Sequence, residues 1–289
     1  MKVIGFSIGH DKGATLIIDG KVITSISIER INRIKAGGGE LVHTIPIQCI
    51  DYCLDENGLT YDDIDLYVYN CTTFDEAEVE FQSLTNQSVD KLTFIPHHLA
   101  HAYSTYYSSD FNESLIVVAD AMGSEIIPGG KAESWFSSKY DVVDTSNEEF
   151  NYSEGITIFE AKGNELVEVY KKWIKYPFPW KRDGEEISVG GYYGMGTYQL
   201  VRDIKTNTWK AGKLMGLASY ADMDYVNSVP RQTLKENGDV FLPSLYFRPE
   251  VTMNDDFQLK ANVAGVYQRE QEMISLELCE IFVLLVVLS

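Results

Sequence analysis

The opening of the chain constrains its fold more than any other segment. Val3, Ile4, Phe6 and Ile8 set up a near-alternating apolar run, a polar Gly9-His10-Asp11-Lys12-Gly13 turn follows, and residues 14–18 resume the pattern. The next dipeptide is Asp19-Gly20, a strong hairpin signal between two β-rich runs, so residues 21–29 read as the returning strand. Three strands therefore begin the fold. Thr44 is placed to cap a helix with Pro46 in its first turn and Ile47, Ile50, Cys53 and Leu54 as its apolar stripe. Residues 66–69 read as a strand, 76–83 as a helix, 92–95 as a short strand ended by Pro96, and 98–107 as a helix.

A second unit then starts as the first did. Residues 114–119 form an apolar strand that runs into Asp120 and a small-residue turn containing Gly123. Residues 133–136 and 155–159 are β-like, 161–164 make a turn, and 166–170 return. Helical patterns follow at 191–201, 213–220 and 263–280. The expected class is α/β with two lobes, residues 1–112 and 113–289, and the parallel opening of each lobe suggests an internal structural repeat. The second lobe reads as incomplete, because further strands and helices would be needed to cover its sheet. The apolar ending 282–288 has the composition of a next buried strand, or of a reading frame that has run out of sense.

Composition narrows the function. With 43 acidic against 24 basic residues the net charge is -19, spread along the chain without a basic patch, which argues against a nucleic-acid partner. The nine-residue apolar ending is too short for a bilayer, which takes about 20 residues, and the start lacks the pattern of a secretory signal. No membrane partner and a cytoplasmic location are expected. The four cysteines, Cys49, Cys53, Cys71 and Cys279, make no C-x-x-C pair and read as reduced core thiols.

Three of the five histidines crowd into Pro96-His97-His98-Leu99-Ala100-His101-Ala102. His97 and His101 are four apart, so at a helix start both imidazoles face one side, as a metal requires and as ordinary surface or core histidines also do, while His98 points elsewhere. Asp120, at the end of its strand, is a candidate third ligand or a simple turn residue. Two imidazoles with one carboxylate suit Fe(II), Mn(II) or Zn(II). His10 lies beside Asp11 in the first strand-loop-strand turn, a place for a phosphate contact or for a turn residue. The run from Glu29 to Lys35, with Arg30 and Arg33, ends the third strand with cations that could meet an anionic substrate or simply be solvated. Gly212-Lys213-Leu214-Met215-Gly216 pairs small residues with one cation at a helix start, without the spacing of a Walker A loop.

Taken in order, these pieces resemble the O-carbamoyltransferases of antibiotic and nodulation-factor biosynthesis. The resemblance rests on the strand followed by His10-Asp11, the Glu-Arg-x-x-Arg-x-Lys of residues 29–35, the histidine cluster 97–102 and the Gly-Lys-x-Met-Gly-Leu-Ala of residues 212–218. It implies an actin-like, sugar-kinase-like fold of two RNase H-like lobes, related to tRNA threonylcarbamoyl transferases. It implies carbamoyl transfer from carbamoyl phosphate, through carbamoyl-adenylate, to a small hydroxyl acceptor, with ATP as co-substrate. His97, His101 and Asp120 would hold a divalent metal, with Fe(II) favoured over Mn(II) or Zn(II). His10 and Lys35 would act on the reacting group, and Asp11, Arg30, Gly123, Gly212, Lys213 and Gly216 would serve the nucleotide or carbamoyl group.

Small departures stand at Ala121, Ser219 and Ala221, where the family usually has Gly, Pro and Gly. The family normally continues further, with another metal-ligating Asp and a C-terminal domain that makes carbamoyl-adenylate. The chain is therefore expected to be truncated or to work with a separately encoded C-terminal half. The alternative is a non-catalytic module that keeps metal or nucleotide binding. A sugar kinase or ATPase of the same superfamily has no reason for the His97-His101 pair.

Overall fold

A computed structural model describes residues 1–9, 11–34, 44–70, 77–126, 151–176, 188–201, 211–231 and 251–288. His10, Lys35 and the strand expected at 133–136 lie outside the described residues. The chain divides into two compact units, Met1–Tyr103 and Ser104–Ser289.

Unit 1 is built on a five-stranded sheet. Its strands are β1 (Lys2–Ser7), β2 (Gly13–Ile18), β3 (Lys21–Ser27), β4 (Leu66–Asn70) and β5 (Leu92–Phe94), in the order β3-β2-β1-β4-β5. The first three pair antiparallel, whereas β4 runs parallel to both β1 and β5. The Asp19-Gly20 hairpin forms as read, with φ of 49° and 78°, the positive values that a right-twisted two-residue turn needs. β3 is shorter than expected. It ends at Ser27, where the Ile28 N–H makes the last bond of the ladder to the Lys12 carbonyl at 2.8 Å, and Glu29 and Arg30 fall in a single helical turn, α1 (Ile28–Asn32).

Register gives this sheet one dry face. Ile4 opposes Leu16 and Tyr67, and Phe6 opposes Ala14 and Tyr69, so all six buried side chains project the same way. Helix α2 (Ile47–Asp55) covers β2 with Cys49, Ile50, Cys53 and Leu54, and the Cys53 thiol lies 3.6 Å from the Ala14 carbonyl. The expected cap is corrected here: Pro46 occupies the cap position, and the Thr44 hydroxyl instead accepts from Lys12 Nζ at 2.6 Å. Helix α3 (Ala77–Thr85) sets Phe81 edge-on to Tyr67 at 4.9 Å. Helix α4 (His97–Tyr106) begins directly after Pro96, whose carbonyl accepts from Ala100 N at 2.9 Å.

Unit 2 opens on four described strands that all pair antiparallel, with the third in the centre. Here β6 (Glu113–Ala119) and the two-residue β7 (Glu125–Ile126) lie along one edge of β8 (Asn151–Lys162), and β9 (Glu165–Tyr176) lies along the other. Helices α5 (Val189–Val201), α6 (Ala211–Ala218), α7 (Met223–Ser228) and α8 (Phe257–Leu288) follow. Tyr192, Leu200, Leu214, Val263 and Tyr267 form one buried cluster, and Ile156, Ile158, Val189, Ile274 and Leu278 form another beneath the sheet. The backbone at 282–288 continues α8 and is not a strand. A short apolar run cannot be assigned by periodicity alone, and the preceding helix simply propagates through it. Among the described residues no helix is long and apolar enough to cross a membrane.

Burial explains how the core thiols behave. Cys49 and Cys53 are fully buried, and desolvation pushes the Cys49 thiol up to about 11, which suppresses its reactive thiolate. Cys279 is exposed. Mass mapping after brief alkylation of the native protein is expected to find Cys279 modified and Cys49 and Cys53 untouched until denaturant is added. Labelling of Cys53 at the rate of Cys279 would contradict this packing.

Candidate functional site

Parallel pairing brings three chain segments to one edge of the first sheet. The Ile8 N–H donates to the Asn70 carbonyl at 3.0 Å and the Ile95 N–H to the Tyr69 carbonyl at 2.9 Å, so the ends of β1, β4 and β5 stay in register. An open cleft of about 390 Å³ lies on the sheet face opposite the dry one. Its floor is made of small or polar residues, including Gly5, Ser7, Thr15 and Ser25, and Asp11, Asn70 and Ile95 also line it. Ligand-binding groups gather at this edge in open α/β sheets.

The histidines leave the same edge. Helix α4 starts at His97, and one turn later His101 returns to the same side, with the two Nε2 atoms 3.0 Å apart and the ring planes at 86°. Two nitrogens bound to one ion at about 2.1 Å and at right angles would stand about 3.0 Å apart, so the pair has the spacing of adjacent ligands on a six-coordinate ion. His98 turns the other way and is fully buried. On the far side of the His97 ring, Nδ1 lies 3.3 Å from the side-chain amide of Asn70. Sequence reasoning missed Asn70, although a polar residue ending a buried parallel strand is itself a signal.

Asp120 stands in unit 2 where β6 ends, and one carboxylate oxygen accepts from the Ala121 N–H at 2.6 Å. The loop it opens is held from three directions. The Gly123 N–H donates to the Glu154 carbonyl at 2.8 Å, and the Ser124 N–H donates to the Glu154 carboxylate at 3.0 Å. Ser188 caps α5 by accepting from Gly191 N at 2.9 Å, and its hydroxyl donates to the Ala121 carbonyl. Gly190 completes the clamp, because a Cβ there would sit 2.8 Å from Ala121 Cα and could not be accommodated without moving that loop. Ser188, Gly190 and Glu154 were also not singled out from sequence, since their partners lie far along the chain.

The other expected contact residues divide. Asp11 is exposed at the cleft, and Arg30 is 72% exposed beside Glu29 at 3.6 Å. Gly212, Lys213 and Gly216 are exposed on α6, while Leu214 anchors that helix in the core.

Glu154 carries the heaviest electrostatic demand. It is fully buried, and its second oxygen pairs with Lys171 at 2.9 Å, itself only 4% exposed and also 2.7 Å from Glu168. Desolvation opposes the charge on Lys171, but Glu154 and Glu168 outweigh it and hold the ammonium above its ordinary range. A raised folded value means that this stabilisation is complete at neutral pH and is lost as pH rises through it. Lys171→Met would strand a buried carboxylate and is expected to cost about 3–5 kcal/mol at neutral pH in urea unfolding. The gap to the wild type should narrow as pH rises beyond the lysine range. A variant as stable as the wild type would show that Glu154 is not charged in the fold.

Comparison with known proteins identifies the family. The profile of the family described as Carbamoyltransferase N-terminus matches residues 2–78 and 68–254. The nodulation protein NolNO of Sinorhizobium fredii is 34% identical over 39% of this chain and 20% of its own length. The uncharacterized protein sll1178 of Synechocystis is 22% identical over 91% of this chain and 42% of its own. The chain thus spans less than half the length of these curated relatives. Among solved structures, the activator of 2-hydroxyisocaproyl-CoA dehydratase from Clostridium difficile, with bound ADPNP, is similar at a TM-score of 0.43, with 12% identity, over 97% of this chain and 76% of that one. YeaZ from Pseudomonas aeruginosa is similar at 0.35, with 9% identity, over 61% and 69%. The profile match covers well over half of the chain, which belongs to the family of carbamoyltransferase N-terminal domains.

Proposed function

We propose that this chain is the transferase part of an O-carbamoyltransferase, which passes a carbamoyl group from carbamoyl-adenylate to an acceptor hydroxyl. The observation that carries the reading is the His97-His101 pair, set at the sheet edge of a chain that matches the carbamoyltransferase N-terminal profile. In the transfer, the acceptor oxygen forms a bond to the carbamoyl carbon, the bond from that carbon to the AMP oxygen breaks, and the hydroxyl proton leaves to a base. His10 and Lys35 are the residues we assign to the reacting group, from the sequence resemblance. Asp11, Arg30, Gly123, Gly212, Lys213 and Gly216 are assigned to the nucleotide and carbamoyl contacts on the same ground.

We assign His97, His101 and Asp120 as the ligands of a divalent metal, with Fe(II) first and Mn(II) or Zn(II) as alternatives. The donor set supports this: neutral imidazoles and a carboxylate are the ligands that these ions share. When bound, such an ion supplies Lewis-acid polarisation of a carbonyl or phosphoryl oxygen. The rest falls to the chain itself. α4 presents both Nε2 atoms from a rigid turn, and the clamp of Ser188, Gly190 and Glu154 fixes the loop behind Asp120. Fixing these groups in advance lowers the entropic barrier to a two-substrate reaction.

ATP and carbamoyl phosphate would enter as the sources of carbamoyl-adenylate, formed by a C-terminal half of the kind the family carries, whether on the same polypeptide or a separate one. Mass spectrometry after incubation with ATP, carbamoyl phosphate and Fe(II) tests this division. The 289-residue chain alone is expected to yield no carbamoyl-adenylate, and addition of a relative's C-terminal half is expected to give the adenylate together with carbamoylated acceptor. Formation of the adenylate by the chain alone, or adenylate without carbamoyl transfer to any hydroxyl acceptor when both parts are present, would overturn it.

A further inference from the structure

The proton on His97 decides whether its Nε2 can bind an ion. A neutral imidazole carries one proton, so a bare Nε2 requires the proton on Nδ1, and whatever meets Nδ1 selects the tautomer. That partner is Asn70 at 3.3 Å. Asn70 ends β4, and its backbone is fixed by the parallel pairing with Ser7 and by the hydrogen bond from Ile8 N at 3.0 Å. Its amide is therefore delivered to His97 by the sheet and not by a loop.

An amide has two faces. In the structure Nδ2 faces the ring; in that orientation it donates to Nδ1 and drives the proton to Nε2, where it would block an ion. A half-turn of the amide puts Oδ1 there instead, which accepts from Nδ1–H and leaves the Nε2 lone pair free; the two orientations have the same shape. In the ion-free pair, Nε2 atoms 3.0 Å apart need one proton between them, which His101 supplies from its own Nε2 and gives up when both nitrogens bind an ion. The pair is then closed by a hydrogen bond in which His97 accepts.

We propose that Asn70 is a positioning residue for this centre: its Oδ1 accepts from His97 Nδ1–H and holds the ring in the tautomer whose Nε2 faces His101 without a proton. This rests on the reading of the histidine pair as metal ligands, and it extends that reading to a residue no sequence motif marks. Groups behind ligating histidines typically change metal affinity by about 10–100-fold.

The test separates the two ideas. Nitrogen-15 NMR of histidine-labelled, metal-free protein, under alkaline conditions where imidazole is neutral, reads the His97 tautomer without any ion present. The wild type and Asn70→Asp, which can only accept, are expected to show Nδ1–H on His97. Asn70→Leu is expected to lose that preference. Zn(II) affinity, read by competition with a chromophoric chelator, is expected to be kept in Asn70→Asp and to fall about 10–100-fold in Asn70→Leu. A wild-type His97 protonated on Nε2, or unchanged Zn(II) affinity in a folded Asn70→Leu, would overturn the role of Asn70. A wild type that shows the Nδ1–H tautomer and binds no Zn(II) would uphold Asn70 and sink the metal reading alone.

Discussion

The parallel pairing of β1 with β4 is the interaction on which unit 1 depends. On its other side β1 pairs antiparallel with β2, so the sheet changes sense at this one strand. A hairpin meander alone would send successive strand ends to opposite edges. The change of sense sends the ends of β1, β4 and β5 to the same edge, where Asp11, Asn70 and His97 leave the sheet together. Parallel pairs need a crossover, and α2 supplies it while burying Cys49, Ile50, Cys53 and Leu54 against β2. The core and the chemical edge are thus two results of one register: a slip of a single residue would turn Ile4, Phe6, Tyr67 and Tyr69 out of the core.

Unit 2 solves the same problem at higher electrostatic cost. Its described strands are antiparallel, and the loop after Asp120 is fixed by a buried carboxylate, a capping serine and a glycine that leaves room for the Ala121 backbone. Glu154 does two jobs at once, accepting from the Ser124 backbone and pairing with Lys171 inside the protein. Such a pair adds little net stability over apolar packing, but removing either partner is expensive, so the loop is held to one geometry. That fits a segment proposed to present a metal ligand, where small displacements are costly.

Local signals in the sequence carried most of the fold. Asp19-Gly20 announced its hairpin, the stripe of Ile50, Cys53 and Leu54 announced α2, alternating apolar residues announced β1, and β-rich apolar runs announced β4 and β6. A local reading failed where a tertiary bond outweighed local propensity, as when Thr44 met Lys12 in place of capping α2. The 282–288 run failed because apolarity without a period does not separate strand from helix. In the site, the spacing of His97 and His101 was legible because four residues make one helical turn. Asn70, Glu154 and Ser188 were not, because each acts through a partner at least 27 residues away.

The central claim is that the imidazole pair and the strand-end carboxylate hold one ion. Metal content after anaerobic reconstitution with Fe(II), followed by desalting, tests it in the wild type and in His97→Ala, His101→Ala, Asp120→Asn and His98→Leu, each checked for fold by circular dichroism. One iron per chain is expected in the wild type and in His98→Leu, whose ring is buried on the other side of α4, and loss in the other three. Equal iron in all five folded proteins would contradict it.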